Sequence, residues 1–122
     1  MTQEEKQLLL QDLAARLPYE IILLSSNEKI TYQTDGNTAA ELLVEEGWKP
    51  YLRPMSNMTE DEEKEYYELY YDAPQFKNGW RDAMYLEGLH IDWLNAHHFD
   101  YRGLIKKGLA IAVTEENNPY EN

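Results

Sequence analysis

The residues best suited to chemistry crowd into one stretch, Leu89 to Leu109, which carries His90, His97 and His98 together with Asp92, Trp93, Phe99, Asp100 and Tyr101. Imidazoles beside carboxylates are the donor set of a zinc site. Ligands on one helix face need the i, i+4 spacing of an HExxH arrangement. Here His90 lies seven residues before His97, and the adjacent His97 and His98 would point about 100° apart on a helix. The spacing argues for packing and capping roles, so no metal and no cofactor is expected.

A second group is Tyr66, Tyr67, Tyr70 and Tyr71, whose spacing lays four rings along one broad helical stripe. Such stripes are commonly core. Tyrosine, however, buries its ring while keeping its hydroxyl near water, which also suits a partner surface. Beside it Glu60, Asp61, Glu62, Glu63, Glu65, Glu68 and Asp72 are countered over that span by Lys64 alone. Glu63, Tyr66, Tyr67, Tyr70 and Tyr71 are therefore the candidate interaction surface, with a solvated acidic face as the plain alternative.

Signals for catalysis are missing. The six glycines form neither GxGxxG nor GxxxxGK, and Ser25, Ser26 and Ser56 have no GxSxG setting. No catalytic residue is assigned, although a site assembled from scattered residues stays open. The segment Trp48-Lys-Pro-Tyr-Leu-Arg-Pro54 mixes cations with aromatics, as single-strand-binding sites do. Two cations would have to overcome a formal charge of −12, so direct nucleic-acid binding is not expected. Trp48, Tyr51 and Leu52 read as packing residues, with Lys49 and Arg53 as partners for the acidic helix.

The elements that position these groups follow from local patterns. Thr2 with Glu5 is a capping box, and Leu9, Leu10, Leu13, Ala14 and Leu17 continue it as an amphipathic helix over 2–17, stopped by Pro18. Ile21–Leu24 and Ile30–Tyr32 read as a hairpin. Residues 39–46 have helix formers but are short and uncapped before Gly47, and the expectation is a strand completing a small antiparallel sheet. Pro50 and Pro54 impose an extended crossing segment. Thr59 with Glu62 caps a helix over 59–72, and residues 75–82 read as a loop. Helical spacing resumes over 86–98, with Gly88 delaying its start. Asp100 and Gly108 bound a short helix at 101–107. Leu109–Val113 alternates as a last strand, and 115–122 reads as a frayed tail. The expected fold is α+β, a small antiparallel sheet in the N-terminal half with about four helices, in one domain over 1–122.

Hydrophobic residues make up 43% of the 122, enough for a compact core. The chain has no cysteine, no basic-apolar leader pattern at its start and no run long enough to span a bilayer. The expectation is a cytoplasmic protein without membrane association.

Three segments carry a resemblance: Met1 to Tyr19; Lys49-Pro-Tyr-Leu-Arg-Pro-Met-Ser56 leading into Met58-Thr-Glu60; and Asp92-Trp-Leu-Asn-Ala-His-His-Phe-Asp-Tyr-Arg-Gly-Leu-Ile105 with Gly108-Leu-Ala110. In these the chain resembles a family of short uncharacterised proteins of gut Bacteroidetes and their phages and integrated elements. The resemblance implies strands between the first two segments and brings no activity, so no catalytic residue is carried over. Residues 20–47 and 73–88 match least.

These observations point to a non-enzymatic protein-interaction module of phage or mobile-element origin, with a protein partner. An acidic nucleic-acid mimic that inhibits a DNA-binding host protein is the alternative, and a small enzyme with an unrecognised site is a second.

Overall fold

The computed structural model describes residues 1–25, 27, 30–33, 36–72 and 80–120, with the side chains of 30–33, 36, 70–72 and 80–86 outside that description. Helix α1, Gln3–Arg16, opens on the reciprocal cap that its sequence predicts. The Glu5 N–H donates to Thr2 Oγ1 at 3.1 Å, and the Thr2 N–H donates to Glu5 Oε1 at 2.8 Å. Leu9 and Leu13, one turn apart, are its buried apolar positions, while Leu10 faces outward.

Pro18 closes α1 in a short 3₁₀ turn, and β1 (Ile21–Leu24) follows. It pairs antiparallel with β2, Ile30–Gln33. Four consecutive apolar residues suit a strand covered on both faces. Ile21 and Leu23 pack with Leu13, Ala39 and Leu43 on the helical side, whereas Ile22 packs with Tyr51 and Val113 on the other.

Residues 39–46 do not form the expected strand. Residues 39–44 belong to helix α2, Gly36–Val44, and 45–46 to the turn that follows it. Ala39 and Leu43 are one helical turn apart and enter the same cluster together, which a strand's alternation would not give from that spacing combined with Leu42. The end is a glycine stop: Gly47 takes φ +71°, and the Trp48 N–H reaches back to the Leu42 carbonyl at 2.9 Å.

The proline-bearing crossing segment is an inner strand, β3 (Lys49–Leu52), with Pro50 near its start and opposite Leu23. After a 3₁₀ turn at Met55–Asn57 come α3 (Glu60–Asp72) and α4 (Trp80–Ala96). Helix α4 thus starts before Gly88 and takes in Trp80–Asp82 of the expected loop; residues 75–79 of that loop lie outside the described residues. Strand β4, Ile111–Ala112, pairs parallel with β3, giving the sheet order β2-β1-β3-β4. The class is α+β, as expected, with four α-helices among the described residues, α2 being one that was not expected, and the parallel β4 makes the sheet mixed.

The short helix expected at 101–107 is a run of turns. Asp100 does cap it, accepting from the Leu104 and Ile105 amides at 2.9 and 3.0 Å, but Gly103 adopts φ +75° and interrupts any helical advance. The turns bring Leu104 and Leu109 into one cluster with Leu9 and Leu52. The C-terminal segment also departs from the frayed tail expected. Tyr120, like Leu24 and Ile111, packs against the cluster of Ile22, Tyr51 and Val113, while 121–122 lie outside the described residues.

Gly103→Ala separates the two conformations by sign. In a helix the change would gain about 1 kcal/mol. At φ +75°, with open space around the added methyl, it costs about 1–2 kcal/mol through backbone strain alone. A lowered urea midpoint is expected, and a raised one would restore the helix.

Candidate functional site

Two concavities meet around the start of α3. The larger is a cleft of about 630 Å³ between the turn after β3, the two ends of α3 and α4 that face it, and the C-terminal segment. Arg53, at the end of β3, organises it. The Arg53 N–H donates to the His98 carbonyl and its carbonyl accepts from the Asp100 N–H, each at 2.8 Å. Its guanidinium lies 4.1 Å from the Phe99 ring centroid and donates to both Glu62 carboxylate oxygens at 2.6 Å. Glu62 also completes the cap of α3: the Glu62 N–H donates to Thr59 Oγ1, and the Thr59 N–H donates to Glu62 Oε1, both at 3.1 Å. These donors, Arg53 first, hold the Glu62 carboxyl down at about 2 against the opposing effect of burial.

Each histidine takes a different partner. His90 is buried on α4 with its ring edge against Tyr66, centroids 4.6 Å apart. His97 stacks on Trp93 at 4.0 Å and sets Nδ1 3.5 Å from Glu62 Oε2. His98 terminates α4 in the left-handed region, φ +66°, which costs a non-glycine residue about 1–2 kcal/mol. That conformation turns its imidazole under the Tyr120 ring, with centroids 3.6 Å apart and planes 13° from parallel. Burial, reinforced by the nearby Arg16 and Arg53, pushes the His98 proton affinity down to about 4. Among the described residues no group of three His, Asp or Glu side chains stands close enough to share a metal ion.

Below the cleft, α1 buries charge as well. Asp12 and Arg16 pair at 2.7 Å, one turn apart and nearly inaccessible, and Arg16 Nη2 donates to the Phe99 carbonyl at 2.6 Å. Arg102 Nε approaches the other Asp12 oxygen at 3.2 Å. The apolar pattern of α1 gave no sign of this pair, although its i, i+4 spacing is that of a helical ion pair. Hydroxyls lining the cleft also bond locally: Thr59 Oγ1 and Thr114 Oγ1 accept from the Glu62 and Asn117 amides, and the Tyr120 hydroxyl donates to the Tyr51 carbonyl.

The smaller concavity, about 290 Å³, is an external groove lined by Met55, Ser56, Met58, Glu63, Tyr66 and Tyr67. It brings together three of the five residues of the sequence-derived surface. Tyr66 turns inward, tilted against Trp93 at 5.3 Å, whereas Tyr67 is 53% exposed and Met55 42%. Tyr70 and Tyr71 continue α3, but their side chains lie outside the described residues. Met55 and Met58 were not anticipated, because only the 3₁₀ turn at Met55–Asn57 folds them beside α3. Arg53 meets the acidic helix as its charge predicts, while Lys49 is exposed at the far end of β3.

Comparison with protein-family models, with curated proteins and with solved structures finds no match for the chain. Among the described residues no helix is long and apolar enough to cross a membrane.

Two of the shifted groups lining the cleft, His98 and Glu62, titrate in different acid windows. An unfolded chain takes up the His98 proton near 6.5 and the folded chain only near 4, so stability falls as pH drops through that interval. Glu62 contributes stability above its ordinary 4.5, and that contribution is lost as pH falls from 4.5 towards 2. His98→Asn, which tolerates the left-handed backbone, is expected to flatten the upper limb of a plot of urea midpoint against pH, and Glu62→Gln the lower. An unchanged slope between pH 6.5 and 4.5 in His98→Asn would contradict the burial of a neutral imidazole.

Proposed function

We propose that this chain is a non-enzymatic protein-interaction module whose contact surface is the groove of Met55, Met58, Glu63, Tyr66 and Tyr67. The observation that carries the reading is the pairing of two large exposed side chains, Met55 and Tyr67, across a groove floored by the half-buried Met58 and Tyr66. Methionine and tyrosine are adaptable contact residues, one through flexible rotamers and the other through a rigid ring with a polar tip. Glu63 lines the groove itself, and the exposed Glu60 stands one turn before it on α3, so the negative charge at the groove comes from these two. The occupant that fits is a protein segment with one apolar anchor flanked by Lys or Arg. We place the module in a phage or mobile-element setting on the strength of the sequence resemblance, and in the cytoplasm because a cysteine-free chain suits a reducing compartment.

The mimic reading receives less support. A phosphate-like array needs carboxylates free to meet a basic groove, whereas Glu62 is committed to Arg53 and Glu65 accepts from Trp93 Nε1 at 3.0 Å.

A library of short peptides read against the immobilised chain tests the proposal. The retained peptides should share an apolar residue flanked by basic ones, and Met55→Ala with Tyr67→Ala should weaken them by about tenfold or more while leaving the urea midpoint close to that of the parent. Undiminished binding in the double variant removes the groove from consideration. Retention that depends on net peptide charge alone and vanishes with salt favours the mimic instead.

A further inference from the structure

The register of β1 on β3 pairs Leu24 with Lys49 and Leu23 with Pro50, so its next step would set Ile22 opposite Tyr51. The strand pairing stops short of that step. The Tyr120 hydroxyl stands there, donating to the Tyr51 carbonyl at 2.6 Å and accepting from the Ile22 N–H at 3.5 Å. A side-chain hydroxyl thus occupies the position that a bridging water takes between two strands beginning to part.

The segment that delivers Tyr120 is held mainly at its ends. At its base the Val113 N–H donates to the Leu52 carbonyl at 2.8 Å, and Asn57 Nδ2 donates to the Val113 carbonyl at 3.3 Å. At its far end sit the Tyr120 hydroxyl and the stack on His98. Between them Thr114–Asn117 is exposed and closes a turn on itself, the Asn117 N–H donating to Thr114 Oγ1 at 3.1 Å. Val113, Thr114, Glu115, Asn118 and Tyr120 form the outer wall of the 630 Å³ cleft.

We propose that residues 114–120 are a releasable strap across the cleft, that Tyr120 is its latch, and that the Ile22–Tyr51 rung of the sheet replaces the latch when the strap lifts. A buried latch of this kind ordinarily leaves an orphaned donor and acceptor behind, at a cost that keeps it shut. Here the two groups it leaves are the matching donor and acceptor of one ladder bond. Lifting the strap exchanges two hydrogen bonds through one hydroxyl for a direct strand-to-strand bond, while the freed hydroxyl and the His98 ring pass to water. The latch and the rung exclude each other, so the strap has two discrete positions, and anything entering the cleft from the C-terminal side meets the closed one first.

Native-state amide exchange and ring-to-ring cross-peaks on the full chain, read residue by residue by NMR, test this. Tyr120→Phe keeps the ring and removes the hydroxyl. The far end of the strap is held to the body by the hydroxyl and by the stack on His98, so release is read there: the ring protons of residue 120 should lose their cross-peaks to the His98 ring, while the Ile22 amide keeps its protection because the Tyr51 carbonyl accepts from it directly. Loss of protection at Ile22 overturns the replacement rung, and an intact stack on His98 overturns the latch. The parent chain supplies an independent measurement should the variant fail to fold. Its Tyr120–His98 cross-peaks should weaken at urea concentrations that leave the Leu23 amide protected; loss of both together would mean that the strap opens only with the whole fold, which overturns the proposal.

Discussion

Arg53 ties three parts of the chain together at one point: the end of the sheet, the start of α3 and the turn after α4. Its backbone continues β3 into an isolated parallel bridge with Phe99, its guanidinium covers the Phe99 ring, and both of its terminal nitrogens grip Glu62. Glu62 in turn closes the cap of α3. One ion pair therefore fixes the start of the acidic helix against the end of the sheet and the end of α4. A planar, bidentate fork is what this position demands, because it must satisfy a carboxylate and lie flat on an aromatic ring at once. The pair is 17% exposed on each side, so solvent screens it less than a surface pair without imposing the desolvation of the deep interior.

Both concavities follow from that junction. With the first turn of α3 held at Arg53, the Met55–Asn57 turn lies beside Glu63, Tyr66 and Tyr67 and makes the groove on one side. On the other side the same junction leaves the cleft floored by Arg53, Glu62 and His97. The strained His98 is tied to it as well, since its carbonyl receives the Arg53 N–H while its ring supports Tyr120. The backbone strain at His98 is thus offset by contacts made at both ends of the same residue. The groove and the cleft share a foundation but have different walls, which makes them separable by mutation.

Features whose cause is local were legible in the sequence. Both capping boxes, the stop at Pro18 and the pairing of Arg53 with the acidic helix each depend on a few neighbouring residues or on charge alone. Helix α2 was not, although Ala39, Ala40, Glu41, Leu42 and Leu43 are good helix formers: the segment is short and uncapped, the resemblance implies strands there, and burial of Ala39 and Leu43 with β1 decides for the helix. The turns at 101–107 carry a true cap at Asp100, and only the left-handed φ at Gly103 distinguishes them from a helix. The tyrosine stripe was half readable: spacing located the helix face, but the inward turn of Tyr66 depends on Trp93 and His90 from another element. Tyr120 had no readable signal at all, since its hydroxyl partners lie 98 and 69 residues away.

The measurement that bears most directly on this account is a double-mutant cycle on unfolding with Arg53→Met, Glu62→Gln and the pair together. If the bidentate junction anchors α3 to the sheet, the coupling energy will exceed the ~0.2–1 kcal/mol of exposed ion pairs. A coupling within or below that range would show that α3 is held by its apolar contacts alone, and the junction would lose its place at the centre of the structure.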